Sequence, residues 1–386
     1  MRLCIRGLEG ETTISNSFTK RRQNGFKIGT RDKYATRLRI SCVCFQIIIC
    51  VIWLSQVVYG RVLSDGTSLD YRMNGFIALM LSTIGFAALI YFKVPVTLVY
   101  ECFIGIITAT ILWSVVVSIT VYVMARMQKT GLAPGGNTGN VIYDFFMGHQ
   151  LNPRWGKFDF KFFFEVRPGF IGWVMINFCM AAKEYEKTHE VSTAMILVCI
   201  FQFIYVADCL FYESSMLSTI DIIEEGFGFM LAFGDISWVP IMYSLQARYL
   251  VDQPVKLSWI TTTAIVALFG MLKMSPDLTQ PCQNVLCYFF LADQETILTP
   301  TGKRLLASGW WGLVRHPNYL GDIIMAFAWT FPCGFSNPIP FFYPVYLTIL
   351  LVHREFRDEA NNRRKYGTSW DEYCRRVPYR ILPKIF

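Results

Sequence analysis

Apolar runs of about 14 to 24 residues recur along this chain, most of them near the length that crosses the hydrocarbon core of a bilayer, with the one at 169–182 short enough to be tilted or partly interfacial. The first reads SCVCFQIIICVIWLSQVV at 41–58. Others lie at 76–92, 102–124, 169–182, 192–211, 226–249, 257–272, 320–334 and 338–352, and a shorter one, VLCYFFLA, at 285–292. So many runs in 386 residues predict an all-α polytopic membrane protein, a bundle of eight to ten helices. Composition agrees, because only 17% of residues are charged, against about a quarter in soluble domains.

The excess of 36 Lys and Arg over 28 Asp and Glu does not point to nucleic acid as a partner, because it gathers at the two ends. Residues 1–40 carry ten Lys or Arg against three acids, and 353–386 carry nine against five. A basic leader before the first span favours a cytosolic N-terminus. Its layout is not that of a signal peptide. We expect 1–40 to be a disordered basic arm and 41–386 to form the membrane domain.

The 12 cysteines are scattered, mostly in apolar runs, without a CxxC pair. The four histidines are not placed near them at metal-ligand spacing. Neither a disulfide framework nor a metal site is expected. The chain has no Asn-x-Ser/Thr acceptor, so nothing in it points to the cell exterior.

Two polar, aromatic loops interrupt the apolar pattern, at 128–168 and 293–319. Their aromatic density argues for order and for function. Ionisable residues in or beside the spans are Glu101, Asp208, Glu213, Asp221, Glu224, Glu225, Asp235 and Asp322. Acids at membrane depth are costly, so this set suggests a polar cavity. Tyr205 and Asp208 lie about one turn apart on one apolar helix. A phenol there could donate a proton, although a packing tyrosine is the plainer reading of that residue alone.

The C-terminal region has the residue types of an anion site. Arg315 and His316 follow Trp310 and Trp311, and Arg354, Arg357, Arg363, Arg364 and Lys365 follow the last span. Guanidinium groups grip phosphate and aromatic rings stack on planar bases, though a cluster touching anionic lipid headgroups has the same composition. GFGFML at 226–231 lacks the strand and the third glycine of a dinucleotide fingerprint.

At SGWWGLVRHPNYLGD (308–322) and KYGTSWDEYCRRVPYRILP (365–383) the chain resembles the sterol reductase family. Two further segments extend the likeness: YDFFMGHQLNPRWGKFDFKFFFEVRPGFIGW (143–173) and TIDIIEEGFGFMLAFGDISWVPIMYSLQ (219–246). Within the family it is similar to the delta(14)-sterol reductases and to the membrane domain of the lamin B receptor.

The resemblance implies NADPH-dependent reduction of a sterol C14–C15 double bond in the endoplasmic reticulum or inner nuclear membrane, on a substrate drawn from the bilayer among membrane lipids. It implies Tyr205 and Asp358 as proton donor and relay. It implies a cytosol-facing cofactor pocket of Leu306, Trp311, Asn318, Tyr319, Arg354, Asp358, Asn362, Arg363, Arg364, Lys365, Tyr366 and Tyr373. The alternative it carries is a non-catalytic nuclear-envelope protein with lamin or chromatin partners. A fainter likeness, in the RHPNY stretch, is to membrane methyltransferases.

The family pattern also includes a Lys and an Arg that contact the cofactor phosphates, in a segment of the form N-x-Q-K-x-x-F-R-x-N-P. Here 272–300 departs from it, and KMSPDLTQPCQNVLCYFFLADQETILTP has Lys273 as its one basic residue. Each such contact is worth about 1.5–3 kcal/mol, so losing both is expected to weaken NADPH binding by roughly 10²–10⁴.

Overall fold

The computed structural model describes residues 56–63, 66–128, 130–273, 295–300, 302 and 304–386. The basic arm at 1–40, most of the first apolar run, the stretch 285–292 and most of the departing segment at 272–300 lie outside the described residues.

The chain is mostly helical. Strands β1 (Gln56–Tyr59) and β2 (Asp70–Met73) precede helices α1 (Gly75–Tyr91), α2 (Phe103–Gln128) and α3 (Val141–Met147). Strands β3 (Arg154–Trp155) and β4 (Phe158–Asp159) lead into α4 (Phe160–Phe164), a π-helical segment Glu165–Ile171 and α5 (Gly172–Thr188). Then come α6 (Thr193–Phe211), α7 (Phe229–Phe233), a second π-helical segment Gly234–Trp238, α8 (Val239–Met242), α9 (Leu245–Asp252) and α10 (Trp259–Lys273). The last part holds β5 (Thr296–Leu298), β6 (Arg304–Leu306), α11 (Trp310–Leu313), α12 (Pro317–Ala328), α13 (Phe342–Tyr366) and α14 (Thr368–Arg376).

Three antiparallel strand pairs therefore modify the all-α expectation: β1 with β2, β3 with β4, and β5 with β6. The end of the first apolar run is β1, in register from Gln56 opposite Met73 to Tyr59 opposite Asp70. Its Val-Val-Tyr sequence suits a pleated ribbon. The apolar run at 226–249 is also not one helix. Gly226 to Gly228 are not helical, and from Phe229 the helical path passes through a π-helical stretch before Pro240 and ends at Met242, short of α9. Hydropathy does not register the backbone freedom of glycine or the missing N–H of proline.

The chain forms two compact units. Among the described residues, the first comprises those through Met180 with Ile220–Ile241, and the second Ala181–Thr219 with Met242–Phe386.

In the first unit α2 packs on α7 and on the second π-helical segment. At 26 residues α2 is long and apolar enough to cross a membrane. Its outward face is apolar, unlike that of a helix in water, and small hydroxyls sit among the apolar residues of its buried face. Thr110, Ser114 and Ser118 are buried, whereas Ile104, Leu112, Trp113, Val116, Ile119 and Val123 are exposed. Thr110 shares a hydrogen bond with Ser237, hydroxyl to hydroxyl, at 3.1 Å. Small polar residues between helices with apolar ones outside fit a hydrocarbon solvent.

Named bonds hold the described part of the polar loop, 130–168. The Asn140 side chain caps α3 by accepting from the N–H groups of Ile142 and Tyr143. Arg154 donates from Nε to Asp159 at 2.9 Å and from Nη1 to the Asp70 carbonyl at 2.8 Å, with its guanidinium 4.4 Å from the centre of the Tyr71 ring. Lys161 is buried and donates to the carbonyls of Asp221 and Glu225. Burial pushes its ammonium down to about 8 against the pull of Asp159 and Glu165.

The glycines of GFGF work at close quarters. A Cβ on Gly228 would sit 2.3 Å from the Gly148 backbone nitrogen, and one on Gly226 would sit 2.0 Å from the Gly148 carbonyl oxygen. Gly148 itself has φ +97°. These glycines let two loops touch backbone to backbone.

In the second unit α6 begins at Ser192, whose hydroxyl accepts from the Met195 N–H at 3.2 Å. It is the other described helix long and apolar enough to span. Phe201 on α6 stacks on Phe269 of α10 at 4.1 Å. A buried polar chain joins α6 to α9 and beyond. Gln202 donates to Gln246, which donates in turn to the Thr330 hydroxyl and the Pro340 carbonyl. Helix α13 runs well past the apolar run at 338–352, to Tyr366, so Arg354 and Asp358 stand on a continuous helix.

Candidate active site

Two groups of side chains in the second unit have chemical potential, one at the polar end of α12 and α13 and one where α12 ends beside α6.

The polar end is built on the turn before α12. Pro317 takes the first helical position, where its missing N–H costs nothing, and His316 precedes it as the cap residue. Two backbone bonds fix this turn to the C-terminal segment, from Arg315 N–H to the Tyr379 carbonyl at 2.9 Å and from His316 N–H to the Arg380 carbonyl at 3.0 Å. Arg315 adds side-chain bonds to the carbonyls of Val377 and Cys374 and an ion pair with Glu359 at 3.1 Å. The sequence suggested Arg315 for an anion. The structure instead spends its guanidinium on backbone carbonyls and a carboxylate, which fills the fork. Arg380 similarly holds the buried Glu355 at 2.7 Å.

Within that frame the Tyr319 hydroxyl donates to Asp358 at 2.5 Å. The His316 ring stacks on the Tyr319 ring, 4.8 Å between centres and 9° from parallel. Burial pushes the His316 imidazole down to about 4, opposed by the nearby Asp358 carboxylate, so it is neutral at physiological pH. Tyr373 donates to the Trp311 carbonyl at 3.1 Å and packs against Trp370, Tyr366, Val377 and Ile297. Burial also raises the Tyr373 phenol.

The structure thus brings Tyr319 to Asp358 and Trp311 to Tyr373. Asn362 is half-buried, whereas Arg363, Arg364 and Lys365 are exposed. Three consecutive helical positions span about 200° around the axis, so they cannot all face one ligand. Arg363 pairs with Glu359 and Asp371, each at 3.4 Å, and Lys365 lies over the Tyr366 ring. Leu306 is half-buried at the end of β6, and Arg354 is half-buried on α13.

Between Trp311 and Asn318 three buried polar atoms lack a hydrogen-bond partner: Trp311 Nε1, His316 Nε2 and Asn318 Oδ1. Orphaned polar atoms of this kind are costly unless a bound molecule completes them. A ligand carrying both donors and acceptors, as a nicotinamide nucleotide does, fits this set.

The second group surrounds Tyr205 on α6. Its ring meets Trp329 edge-on at 5.2 Å, Trp329 stacks on Tyr343 at 5.7 Å, and Tyr343 meets Tyr243 at 4.3 Å. Trp329 and Tyr343 are buried. Sequence reasoning singled out Tyr205 but not these three rings. Spacing held one clue: Trp329 follows Asp322 by seven residues, two turns along the same helix face.

Comparison with known proteins adds an independent line. The description "Ergosterol biosynthesis ERG4/ERG24 family" fits the chain over residues 11–386. The delta(14)-sterol reductase LBR of Gallus gallus is 46% identical over 347 residues, which are 87% of this chain and 54% of that protein. The chain thus spans about half the length of that relative. A delta(14)-sterol reductase of Mus musculus is 46% identical over 336 residues, 86% of this chain and 80% of its own length. One from Schizosaccharomyces pombe is 41% identical over 328 residues, 83% and 77% respectively.

Proposed function

The chain belongs to the ERG4/ERG24 family of ergosterol biosynthesis, and from that premise we propose that it reduces the C14–C15 double bond of a sterol intermediate with NADPH. The observation that carries the reading is the pairing of two environments in one unit. Tyr205 stands among aromatic rings on an apolar helix, and the turn before α12 presents orphaned polar atoms beside stacked aromatics. An apolar alkene needs the first and a nucleotide the second.

The chemistry follows from the substrate. Protonation of the alkene at C15 leaves the cation on C14, the more substituted carbon. When bound, NADPH would supply the hydride that fills it. The Tyr205 hydroxyl would deliver the proton while the surrounding rings exclude water. Trp311, Asn318, Tyr319 and Tyr373, with Leu306, Arg354, Asp358 and Asn362 to Tyr366, would hold the cofactor. His316, neutral by burial, would add a hydrogen bond without a charge.

The membrane would be that of the endoplasmic reticulum or the inner nuclear envelope, crossed several times by a helix bundle of eight to ten spans. The apolar outward face of α2 supports the embedding. Sterol would enter from the bilayer. The second reading is a membrane anchor with lamin or chromatin partners, favoured by the missing basic pair in 272–300 and by the likeness to LBR.

The test uses purified protein in detergent with a delta(8,14)-sterol and NADPH. Sustained NADPH oxidation with sterol reduction is expected, and Tyr205→Phe should lower it by roughly 10²–10⁴. Folded protein that binds no NADPH would instead select the anchor reading.

A further inference from the structure

The first unit holds a cavity of about 260 Å³, walled by residues of β2, the β3–β4 hairpin, α4 and the first π-helical segment. A two-residue turn shapes its mouth. Gly156 and Lys157 join β3 to β4, and Gly156 has φ +62°, a left-handed position that glycine takes without a Cβ clash. The turn leaves Lys157 exposed and the neighbouring Trp155 80% exposed. Deeper in, Tyr71 and Phe162 meet edge to face at 5.4 Å, and Phe158 packs on Phe163 at 5.0 Å.

The charges of this wall do not balance. Arg167 lines the cavity and is only 2% exposed. Its Nη2 donates to the Asn74 side-chain oxygen, which is a neutral amide, and its Nη1 has no hydrogen-bond partner. Two carboxylates, Asp70 and Asp159, line the same cavity, but both are paired with Arg154, at 3.4 and 2.9 Å. A guanidinium cannot give up its proton, so a buried one with an unpartnered nitrogen calls for an anion. Lys157 brings a second cation to the mouth.

Two observations select the anion. A guanidinium and an ammonium from different elements suit the several oxygens of a phosphate. The rings beside them would stay wet around bare phosphate, whereas a phosphate ester with an apolar tail covers them. The cavity also stands where lipid headgroups lie. Asp70 and Tyr71 run through Asn74, the cap residue, into the apolar helix α1, and an exposed Trp beside Lys is typical of a membrane–water interface. We propose that this cavity binds the phosphate group of a membrane phospholipid, with Arg167 and Lys157 on its oxygens and Tyr71 and Phe158 against its glycerol and first methylenes. Binding is reversible and makes no covalent bond. It is independent of the reductase reading, whose residues belong to the second unit.

The test is calorimetric titration of the full chain, delipidated in detergent, with the heat of mixing into empty micelles subtracted. The probes are dihexanoyl phosphatidylglycerol, dihexanoylglycerol, which lacks the phosphate, and inorganic phosphate alone. Saturable binding of the phospholipid is expected, with dihexanoylglycerol and inorganic phosphate at least 10-fold weaker. Lys157→Glu, on an exposed turn, should weaken the phospholipid by roughly 10-fold or more, and Arg167→Gln by at least as much. Arg167 is buried, so where its variant does not fold, Lys157→Glu decides. An Arg167 that only braces Asn74 would leave the Lys157→Glu protein with wild-type affinity, and that result would overturn the proposal. Folded protein without saturable phospholipid binding would overturn it too. Inorganic phosphate binding as tightly as the phospholipid would overturn the lipid assignment and make free phosphate the ligand.

Discussion

At the scale of single residues, His316 shows how burial converts a titratable group into a fixed neutral one. Its imidazole sits at about 4 in the folded protein against 6.5 unperturbed, first because burial penalises the cation. The unfolded chain therefore binds a proton between those values that the folded chain refuses. The contribution of His316 to stability is complete above pH 6.5, falls as pH drops from there to about 4, and is level below. The drop is about 3 kcal/mol. Unfolding midpoints followed from pH 7 to 5 should fall for the wild type and stay flatter for His316→Gln; equal slopes would contradict this. Arg315 marks the limit of reading residues one at a time. Beside Trp310, Trp311 and His316 it has the composition of a phosphate clamp, yet its partners are Glu359 and the carbonyls of Val377 and Cys374. Those partners lie some sixty residues further along the chain in the case of the carbonyls, and no local pattern encodes them.

At the scale of elements, uniform apolar composition marked the helices at 75–91, 103–128, 193–211 and 259–273 well, because nothing within them interrupts the backbone. It failed at 226–249, where glycine and proline decide the path and hydropathy does not change. It stopped short on α13, because the charged residues after 352 are still good helix formers. The strand pairs, two to four residues long, are too short to show a period. The glycine cluster carries a sharp expectation. Gly228→Ala pushes a methyl to 2.3 Å from backbone that cannot yield, so it should cost about 3 kcal/mol or more. Thermal unfolding in detergent measures it, and an unchanged midpoint would refute the close approach. Gln246→Leu should cost about 2 kcal/mol, because it strands the Gln202 amide and the Pro340 carbonyl in a buried site. The same thermal assay reads it, and a stabilised variant would show that the polar chain is dispensable.

At the scale of the molecule, the two compact units divide the labour. The first holds α2 with its apolar outward face, the polar loop and the glycine contact. The second holds every residue expected to meet sterol or cofactor, from Tyr205 on α6 to Tyr373 on α14. That gathering was legible in part. The RHPNY and YCRRVPY stretches announced the polar end through rare residues, and the family likeness supplied Tyr205. The rings around Tyr205 emerged only when the helices were assembled. The central claim is that proton and hydride reach opposite carbons of one alkene from different sources. Isotope placement tests it most directly, by reducing a delta(8,14)-sterol in D₂O with ordinary NADPH, then in H₂O with NADPH deuterated at the transferred position. The account predicts deuterium at C15 in the first product and at C14 in the second. Deuterium from solvent at C14, or recovery of unreduced sterol in both, would contradict it.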